Sequence, residues 1–334
     1  MSRPVLDSHR ALDSHSERGA SLVSALLLVA VMASLAMALA GDLRFAMRRS
    51  ANMDVRDQAY WYAIGAREFA EGLIARSMDD PRRALRPDAD WLNGPRTFPI
   101  EQGALTGRVR DGNNCFNLNS LAPAGASGER QADTARMQRF EQLMRAMEIP
   151  AARAVRIAAQ AADWIDSDMR PVASGGEDEL YPGYRTANAP MAERAELLAL
   201  EAMTPDIYER LQPLVCVRPT GEALALNINT LTAAQWPLLA VAFDGGLSRS
   251  AIEGLLLNRP ASGFETEEAF WALDAVRELD PDATVRERVG IETRYFEIEI
   301  HVAHAGQRFA LNGLVQSLGG GQVRRLSQNY GSVS

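Results

Sequence analysis

The chain begins with a polar leader that is followed by a long apolar run. Residues 20–41 carry no charge, and about 20 apolar residues are enough to cross a bilayer. No proline occurs between Gly19 and Met78, and helix-forming residues dominate there. This pattern predicts one helix, on the order of 85 Å long, that runs out of the membrane and ends near Pro81.

Beyond the uncharged run, apolar residues recur along the same helix at steps of three, four or seven. Such a stripe is typical of a helix that packs on one side against the rest of its protein. The stripe consists of Met47, Ala51, Val55, Tyr62, Ala66, Phe69 and Leu73.

Alternation of apolar and polar residues marks two segments that are far apart in the chain. Residues 105–110 alternate and end in the turn-like sequence 111–114. Residues 296–302 also alternate, and they lead into the turn candidate His304-Ala305-Gly306 and a further strand through 309–311. Both patterns are typical of half-buried antiparallel strands. The residues between them, 120–290, show helical patterns.

We therefore predict an α+β fold, in which a long N-terminal transmembrane and stem helix packs on a small antiparallel sheet. A large helical domain is inserted into the connections of that sheet. The net charge of −8, with scattered arginines, fits a globular domain and argues against a nucleic-acid partner. The predicted parts are a leader at 1–19, a transmembrane segment at 20–41, the stem helix and first part of the sheet at 42–118, the inserted helical domain at 119–290 and the C-terminal strands at 291–334.

The residues in front of the apolar run indicate how the N terminus is processed. A secretory signal carries its cleavage site after the apolar segment, whereas here Arg18-Gly19-Ala20 precedes it. This order resembles a class III prepilin leader, which implies cleavage after Gly19, a new N terminus at Ala20 and an apolar helix that stays as an anchor. Two alternatives are a cleaved signal peptide, because Ala38-Leu39-Ala40 fits an A-x-A site, and an unprocessed single-span anchor. Arginines flank the run on both sides, so charge does not settle its orientation.

The chain contains two cysteines, Cys115 and Cys216. In an oxidising compartment they are natural disulfide partners, and closing a loop of this length stabilises by roughly 4 to 5 kcal/mol on the chain-entropy model. Two free buried thiols are the alternative. Because no C-x-x-C spacing occurs, redox catalysis and zinc binding are not expected.

The predicted insert contains a short internal repeat. Residues 117–121 and 227–231 share the form N-[LI]-N-[ST]-L, with asparagines placed to cap a first helical turn. In the second copy, Thr232 and Gln235 fit a capping box. The second copy and the residues that follow it resemble a helix-hairpin-helix unit of competence-type DNA receptors, so we expect SAM or helix-hairpin-helix-like units in the insert.

The helix-hairpin-helix resemblance raises an alternative function, a membrane-tethered DNA-binding receptor. Such hairpins bind phosphate through backbone amides at a helix start, with help from basic neighbours. Here Asp244 lies in the hairpin, and Arg249 is the nearest basic residue. The residues therefore favour the fold of this unit over its DNA function.

Acidic residues cluster once, around the glycine pair Gly175-Gly176. Calcium takes six to eight oxygen ligands from a loop that bends around it, and this segment supplies carboxylates and turns without the spacing of an EF-hand. A solvated acidic loop is the alternative from the residues alone. The acidic residues are Asp163, Asp166, Asp168, Glu177, Asp178 and Glu179.

Catalytic motifs are not found in the sequence. The four histidines offer no catalytic set, since two lie in the leader and two flank a predicted hairpin. The chain also contains no G-x-S-x-G, phosphate loop or H-E-x-x-H. We therefore predict that the protein is not an enzyme.

Taken in order, the motifs resemble those of one family along nearly the whole chain, the K minor pseudopilins of type II secretion systems (general secretion pathway protein K). The matching pieces are Arg18-Gly19-Ala20, Tyr60-Trp61-Tyr62, Cys115-Phe116-Asn117-Leu118-Asn119, Trp164-Ile165-Asp166-Ser167-Asp168, Glu177-Asp178, Leu214-Val215-Cys216 and Asn227-Ile228-Asn229-Thr230-Leu231. The resemblance implies a pseudopilin fold with a large inserted domain. It also implies a tip component that joins the I and J minor pseudopilins above the major pseudopilin, and so initiates the periplasmic pseudopilus for protein export across the outer membrane.

The same resemblance implies how the chain is processed and placed. Its further partners would be the prepilin peptidase and the inner-membrane assembly platform, with methylation of the new N terminus. The protein would cross the inner membrane once, with its C-terminal domain in the periplasm. Ser24 takes the fifth mature position, where most pilins carry glutamate. A carboxylate at that depth is costly unless it meets a cation, and a subunit that nothing precedes needs no such contact.

The resemblance also bears on the acidic loop, because K proteins are described as binding calcium in the inserted domain. By position, the implied ligands of this structural calcium are Asp166, Asp168, Glu177 and Asp178. Glu196 is a less certain addition.

Overall fold

The long N-terminal helix is present as predicted. The computed structural model describes residues 14–78, 92 and 94–331, and only the backbone of residues 14–20. Helix α1 runs without a break from Ser14 to Ser77. Its part from Ser21 onward is long and apolar enough to cross a membrane, by length and composition. The predicted stop at Pro81 lies outside the described residues.

The remaining elements of the described residues follow α1 in the chain. The strands are β1 Arg96–Ile100, β2 Gly103–Asp111, β3 Phe116–Asn117, β4 Val215–Cys216, β5 Leu226–Asn227, β6 Val289–Gly290, β7 Tyr295–His304, β8 Gln307–Gly319 and β9 Gln322–Gly331. The helices are α2 Thr134–Ala146, α3 Ala151–Ile165, α4 Pro205–Leu211, α5 Trp236–Ala242, α6 Arg249–Leu257, α7 Glu267–Trp271, α8 Asp274–Arg277 and α9 Ala283–Arg286. Short 3-10 turns occupy Leu118–Ser120, Asp178–Leu180, Arg194–Ala199 and Ala233–Gln235.

Five strands form one antiparallel sheet in the order β1-β2-β7-β8-β9. The two segments with alternating patterns lie side by side in its centre, with Val109 opposite Ile298. Their apolar residues are buried, which confirms the predicted strands. A two-residue turn joins β7 to β8, and Ala305 and Gly306 both have positive φ, 46° and 81°, as the tight hairpin turn requires.

The described residues divide after Tyr60 into two compact units. Within the second unit, the end of α1 is fastened to the sheet by aromatic and ionic contacts. The Tyr62 and His304 rings meet edge to face, 5.5 Å apart. Arg325 on β9 donates to Glu71 at 2.7 and 2.8 Å, and Arg67 donates to Gln328.

The face of α1 that is buried differs from the predicted stripe. The buried positions beyond Tyr60 include Ala63, Arg67, Ala70 and Ile74, which follow steps of three and four. The small side chains of Ala63 and Ala70 let the helix lie close to the sheet. The predicted stripe was therefore wrong in part: Tyr62, Ala66 and Leu73 are half-buried, whereas Met47, Ala51 and Phe69 are exposed.

All described helices after α1 lie between β2 and β7, so the helical part is inserted into one connection of the sheet. We call residues 116–216 the first module and residues 226–290 the second module. Each module is closed by a pair of two-residue parallel strands, β3 with β4 and β5 with β6. One continuous apolar core runs through both modules.

A turn of Phe243 to Ser248 joins α5 to α6, at the place where the hairpin unit was expected. The predicted capping box is present, because the Thr232 amide donates to Gln235 at 3.0 Å. The assignment of SAM or helix-hairpin-helix-like units stays a prediction. The asparagine and hydroxyl residues of the repeats were predicted to cap a first turn, but at the turn Leu118–Ser120 the N-cap residue Asn117 makes no side-chain cap hydrogen bond.

Candidate functional site

The acidic loop follows helix α3, whose amphipathic sequence carries Asp163 and ends at Ile165. Asp166 and Glu177 are both buried at 2% exposure. One carboxylate oxygen of each, Asp166 Oδ1 and Glu177 Oε1, is buried without a hydrogen-bond partner. A buried carboxylate oxygen without a donor is costly, and a bound cation is one kind of partner that offsets this cost.

Electrostatics at the loop lead to the same conclusion. Burial and the neighbouring charges of Asp163, Asp168 and Glu177 raise the pKa of Asp166 to about 7. Burial also raises the pKa of Glu177, although its hydrogen bond from Thr186 acts in the opposite direction. A divalent cation would reverse this repulsion, because opposite charge favours the ionised form.

Asp163, which the sequence placed in the cluster without assigning it to calcium, organises the loop. Its two oxygens accept from the amides of Val172 at 3.0 Å and Gly176 at 2.7 Å. A side chain at Gly175 would place its Cβ 2.0 Å from Asp163 Oδ2. Gly175 is therefore required by the carboxylate that folds the loop over the end of α3, whereas a side chain at Gly176 would place its Cβ 2.2 Å from Leu180.

The other nominated carboxylates have other partners. Asp168 is exposed and accepts from the Arg170 amide at 2.8 Å. Asp178 accepts from the Thr186 amide at 3.0 Å and lies 3.7 Å from Arg185. These two side chains are held at the loop surface.

Glu196 has a structural role instead. It accepts from the Glu193 amide at 3.0 Å as part of a capping box, and Trp164 Nε1 donates to it at 3.1 Å. Glu193 is not one of the usual N-cap residues, so the sequence carries no capping-box signal for this role.

Of the four nominated calcium ligands, the fold buries Asp166 and Glu177. In the described part of the chain, no group of three or more His, Cys, Asp or Glu side chains is arranged to hold a metal ion. Asp166 and Glu177 present oxygens of the kind that calcium takes, whereas Asp168 and Asp178 do not join them in this arrangement.

The internal repeat has a structural meaning that the sequence did not predict. In the first module, Asn119 accepts from the Met191 amide at 2.8 Å and donates to the Met191 carbonyl at 3.0 Å. In the second module, Asn229 makes the same two bonds with Phe264, at 2.7 and 3.0 Å. The second asparagine of each copy therefore holds a distant stretch of backbone in place.

Asp111, at the end of β2, is a polar junction that sequence reasoning missed. Its carboxylate accepts from Asn227 Nδ2 at 2.9 Å, from the hydroxyls of Thr230 and Thr293, and from the Asn113 amide at 2.7 Å. Burial raises the pKa of Asp111, and these donors partly oppose it. The Asp111-x-Asn113 spacing of an Asx turn was the available signal.

Cys115 and Cys216 form a disulfide with Cα atoms 5.7 Å apart. It lies beside the β3–β4 pair, so it closes the first module where that module meets the sheet. The buried Arg218 nearby donates to Glu297 at 3.1 Å. Burial lowers the pKa of Arg218, and the charge of Glu297 opposes that shift.

The hairpin of the second module offers little positive charge. Asp244 lies in its turn and pairs with Arg288 at 2.9 Å. Arg249 pairs with Glu253 at 2.8 Å and lies over the Trp236 ring at 5.2 Å. Because both arginines already have carboxylate partners, this surface is poorly suited to a phosphate backbone.

The processing and assembly residues lie on α1. Gly19 and Ala20 belong to its first turns, where only the backbone is described, and Ser24 lies on its exposed apolar part. Leader residues 1–13 lie outside the described residues.

Family comparisons agree with this module structure. Two models described as type II secretion system (T2SS), protein K, match residues 114–220 and 226–292. The type II secretion system protein K of Klebsiella pneumoniae is 31% identical over 310 residues, covering 92% of this chain and 94% of that protein. The chain belongs to the type II secretion system protein K family. The protein K of Pectobacterium carotovorum subsp. carotovorum is 30% identical over 322 residues, which cover 94% of this chain and 97% of the Pectobacterium protein.

A solved structure of this family has the same fold. It is a chain of the GspK-GspI-GspJ complex from the type 2 secretion system of enterotoxigenic Escherichia coli, with a TM-score of 0.75 and 28% identity. The match covers 85% of this chain and all of that one. The fold of most of this chain is therefore that of a K protein.

Proposed function

We propose that this protein is a minor pseudopilin that joins the I and J minor pseudopilins at the tip of the type II secretion pseudopilus. There it initiates the periplasmic fibre, above the major pseudopilin, that drives protein export across the outer membrane. The observation that carries the proposal is the likeness, over 85% of this chain, to a K chain solved in complex with I and J. Its role is structural and not catalytic.

In this proposal α1 anchors the protein in the inner membrane, and the residues beyond it lie in the periplasm. A single apolar helix of sufficient length supports the anchor. The disulfide supports a periplasmic location, because disulfides persist in oxidising compartments. Ser24 in place of a carboxylate suits a first subunit, which has no preceding subunit to pair with. The inner-membrane assembly platform then extends the fibre beneath it.

The test of this function is deletion of the gene and its restoration in a strain with an active secretion system. We expect exported proteins to accumulate in the periplasm of the deletion strain, and export to return with the restored gene. Normal export in the deletion strain would contradict the proposal. The alternative of a DNA receptor has no support from the hairpin contacts.

Processing by the prepilin peptidase gives a second expected outcome. The mature chain should begin at Ala20 and keep its apolar helix, as N-terminal sequencing of the membrane-extracted protein would determine. Gly19→Leu should leave the 19-residue leader attached, because side-chain volume at the cut site blocks cleavage. A mature protein that begins at Gly41 would instead indicate an ordinary signal peptide.

We further propose that the acidic loop holds a structural calcium ion, with Asp166 and Glu177 as its buried ligands. Calcium should stabilise the protein by about 2.7 kcal/mol when its free concentration is a hundredfold above the dissociation constant. Chelation should therefore lower the melting temperature of the wild type. Asp166→Ala should remove this dependence, whereas Asp274→Ala, at an exposed ion pair, should retain it. Identical melting in chelator and in millimolar calcium would contradict calcium binding.

A further inference from the structure

A small apolar cavity, which we call the seam cavity, lies where the two modules of the insert meet. Its volume is about 70 Å³, and roughly twice that volume holds a benzene molecule in an apolar protein cavity, so a branched group of about three or four carbons fits here. The cavity reaches the surface, because the exposed Ala223 is part of its lining. Its apolar walls come from Phe116 and Leu143 of the first module and from Leu226, Leu238 and Val241 of the second module.

Three arginines from the two modules line the same cavity. Arg136 and Arg139 lie on α2, and Arg288 directly precedes β6. Arg136 pairs with Asp133 at 3.3 Å, and Arg288 pairs with Asp244 at 2.9 Å. The cluster therefore holds three guanidinium groups and two carboxylates, which leaves one positive charge in excess beside an apolar space.

Arg139 carries this excess charge. Its Nε donates to the Ala135 carbonyl of its own helix at 3.3 Å, and within the residues that the structure describes its two terminal nitrogens have no carboxylate partner. Burial lowers the pKa of Arg139, and the charges of Arg288 and Arg136 act in the same direction. A guanidinium keeps its proton in a protein, so only an anion can offset the charge. Arginine binds a carboxylate through two parallel hydrogen bonds.

The neutral polar groups of the seam cavity are already bound within the chain. Asn117 Nδ2 donates to two backbone carbonyls of the link between the modules, at 2.8 and 3.0 Å. Ser120 donates to the Asn117 carbonyl at 2.6 Å. These side chains hold the wall of the cavity, and recognition of a ligand is left to the arginines and the apolar surface.

We propose that the seam cavity binds a carboxylate that is carried on a short branched aliphatic group. The carboxylate lies on Arg139, and the aliphatic group lies between Leu143 of α2 and Leu238 of α5. A free branched carboxylic acid has this chemistry, and so does the C-terminal leucine or valine of a polypeptide. Because the walls come from both modules, a bound ligand ties α2 to α5. The site does not depend on the proposed function in secretion.

The first test uses 4-methylpentanoate and its neutral counterpart 4-methylpentanamide as probes. Each is titrated against the full chain in phosphatidylcholine nanodiscs by ligand-observed NMR, with empty nanodiscs as background. We expect a dissociation constant on the order of 1 mM for the acid and binding about tenfold weaker or less for the amide. Equal binding of the two probes, or no saturable binding of the acid, would overturn the proposal.

Variants of α2 locate the anion contact. Arg139→Gln removes a charge that has no carboxylate partner, so the variant should melt as the wild type does and bind the acid about tenfold more weakly. Arg145→Gln is the matched control, because Arg145 is an exposed arginine near the end of the same helix, and it should bind as the wild type does. Wild-type affinity in Arg139→Gln contradicts the assignment.

Hydrogen exchange locates the aliphatic group. The bound acid should slow amide exchange in α2 and α5 of the wild type and leave exchange in α6 unchanged. Protection that is absent from α2 and α5 rules out the seam cavity as the site.

A tripeptide distinguishes the two sources of the ligand. Gly-Ala-Leu with a free C terminus is compared with the same peptide amidated at its C terminus. Binding of the free peptide at least as tight as that of the acid, with loss on amidation, supports the site and identifies a polypeptide C terminus as its ligand. Binding of the acid without binding of the peptide supports the site for a free carboxylic acid. Binding of neither carboxylate overturns the proposal.

Discussion

The two modules of the insert use one motif and secure it in different ways. In each, a two-residue strand leads into N-[LI]-N-[ST]-L, and the second asparagine holds a distant amide and carbonyl. The first module is closed by the Cys115–Cys216 disulfide. The second module has no cysteine, and its first asparagine, Asn227, donates instead to Asp111 at the end of β2.

The difference concerns how each module is joined to the sheet. Asn117, the counterpart of Asn227, donates to the carbonyls of Thr220 and Glu222 at 2.8 and 3.0 Å. It therefore organises the link between the modules and makes no bond to the sheet, and a covalent bond closes its module. In the second module a buried carboxylate with four donors fixes the same kind of closure. A repeated motif can thus keep its local geometry while its anchoring chemistry changes.

Removal of the disulfide should have the largest effect of the changes in this comparison. Cys115→Ala with Cys216→Ala opens a loop with a sequence separation of 101 residues, which is worth about 4 to 5 kcal/mol on the chain-entropy model. Denaturant unfolding of the detergent-solubilised protein measures the loss. Hydrogen exchange should increase most in α2 and α3, and equal increases in both modules would show that the disulfide does not act on the first module in particular.

Asp111→Ala should come next, with a loss of about 3 kcal/mol. The change removes the acceptor of the Thr293 hydroxyl and of the Asn113 amide. It also removes one of the two acceptors of Asn227 Nδ2 and of the Thr230 hydroxyl. The same unfolding experiment measures this effect. As a control, Asp274→Ala removes an exposed carboxylate that pairs only with Arg277 and should cost less than 1 kcal/mol. If the two variants lost equal stability, the junction at Asp111 would not be what secures the second module.

Asn119→Ala and Asn229→Ala should cause the smallest losses, about 2 kcal/mol each. Each change removes the partner of one buried amide and one buried carbonyl, at Met191 or at Phe264. Asn119→Ala also removes a donor to the Arg218 carbonyl at 3.0 Å. Unfolding measurements on the two single variants test the equivalence. A loss of stability in only one of the two variants would show that the two asparagines are not equivalent. Asn258→Ala, at an exposed helix end, serves as the control.

The sequence pattern predicted the strands that bury one face, and it missed the strands that bury neither face. Strands β2 and β7 carry the alternation that burial of one face imposes. Strand β1 was missed because it is short, contains Pro99 and is almost fully exposed. Strand β9 was missed because its residues are polar and mostly exposed at the edge of the sheet. Neither edge strand has a periodic pattern that could reveal it.

The candidate sites show the same limit. Asp166 and Glu177 could be nominated from spacing and from the family resemblance, but only the fold distinguishes them from Asp168 and Asp178, which are held at the loop surface. The exposure of part of the predicted stripe on α1 also required the structure. The sequence showed Tyr62, Ala66, Phe69 and Leu73 as a stripe, but periodicity alone could not tell whether this chain covers the stripe or leaves it open.

The insert leaves the sheet after Asp111 and returns at Tyr295, and Asp111 lies opposite Phe296 in the β2–β7 ladder. Both ends of the insert therefore lie at the same end of the β2–β7 pair. A short hairpin turn could connect these two strands at the same place. Insertions at such sites are tolerated because they leave the host structure unchanged. In evolutionary terms, the insert can grow or shrink from one lineage to another while the stem helix and the sheet that carry it stay the same.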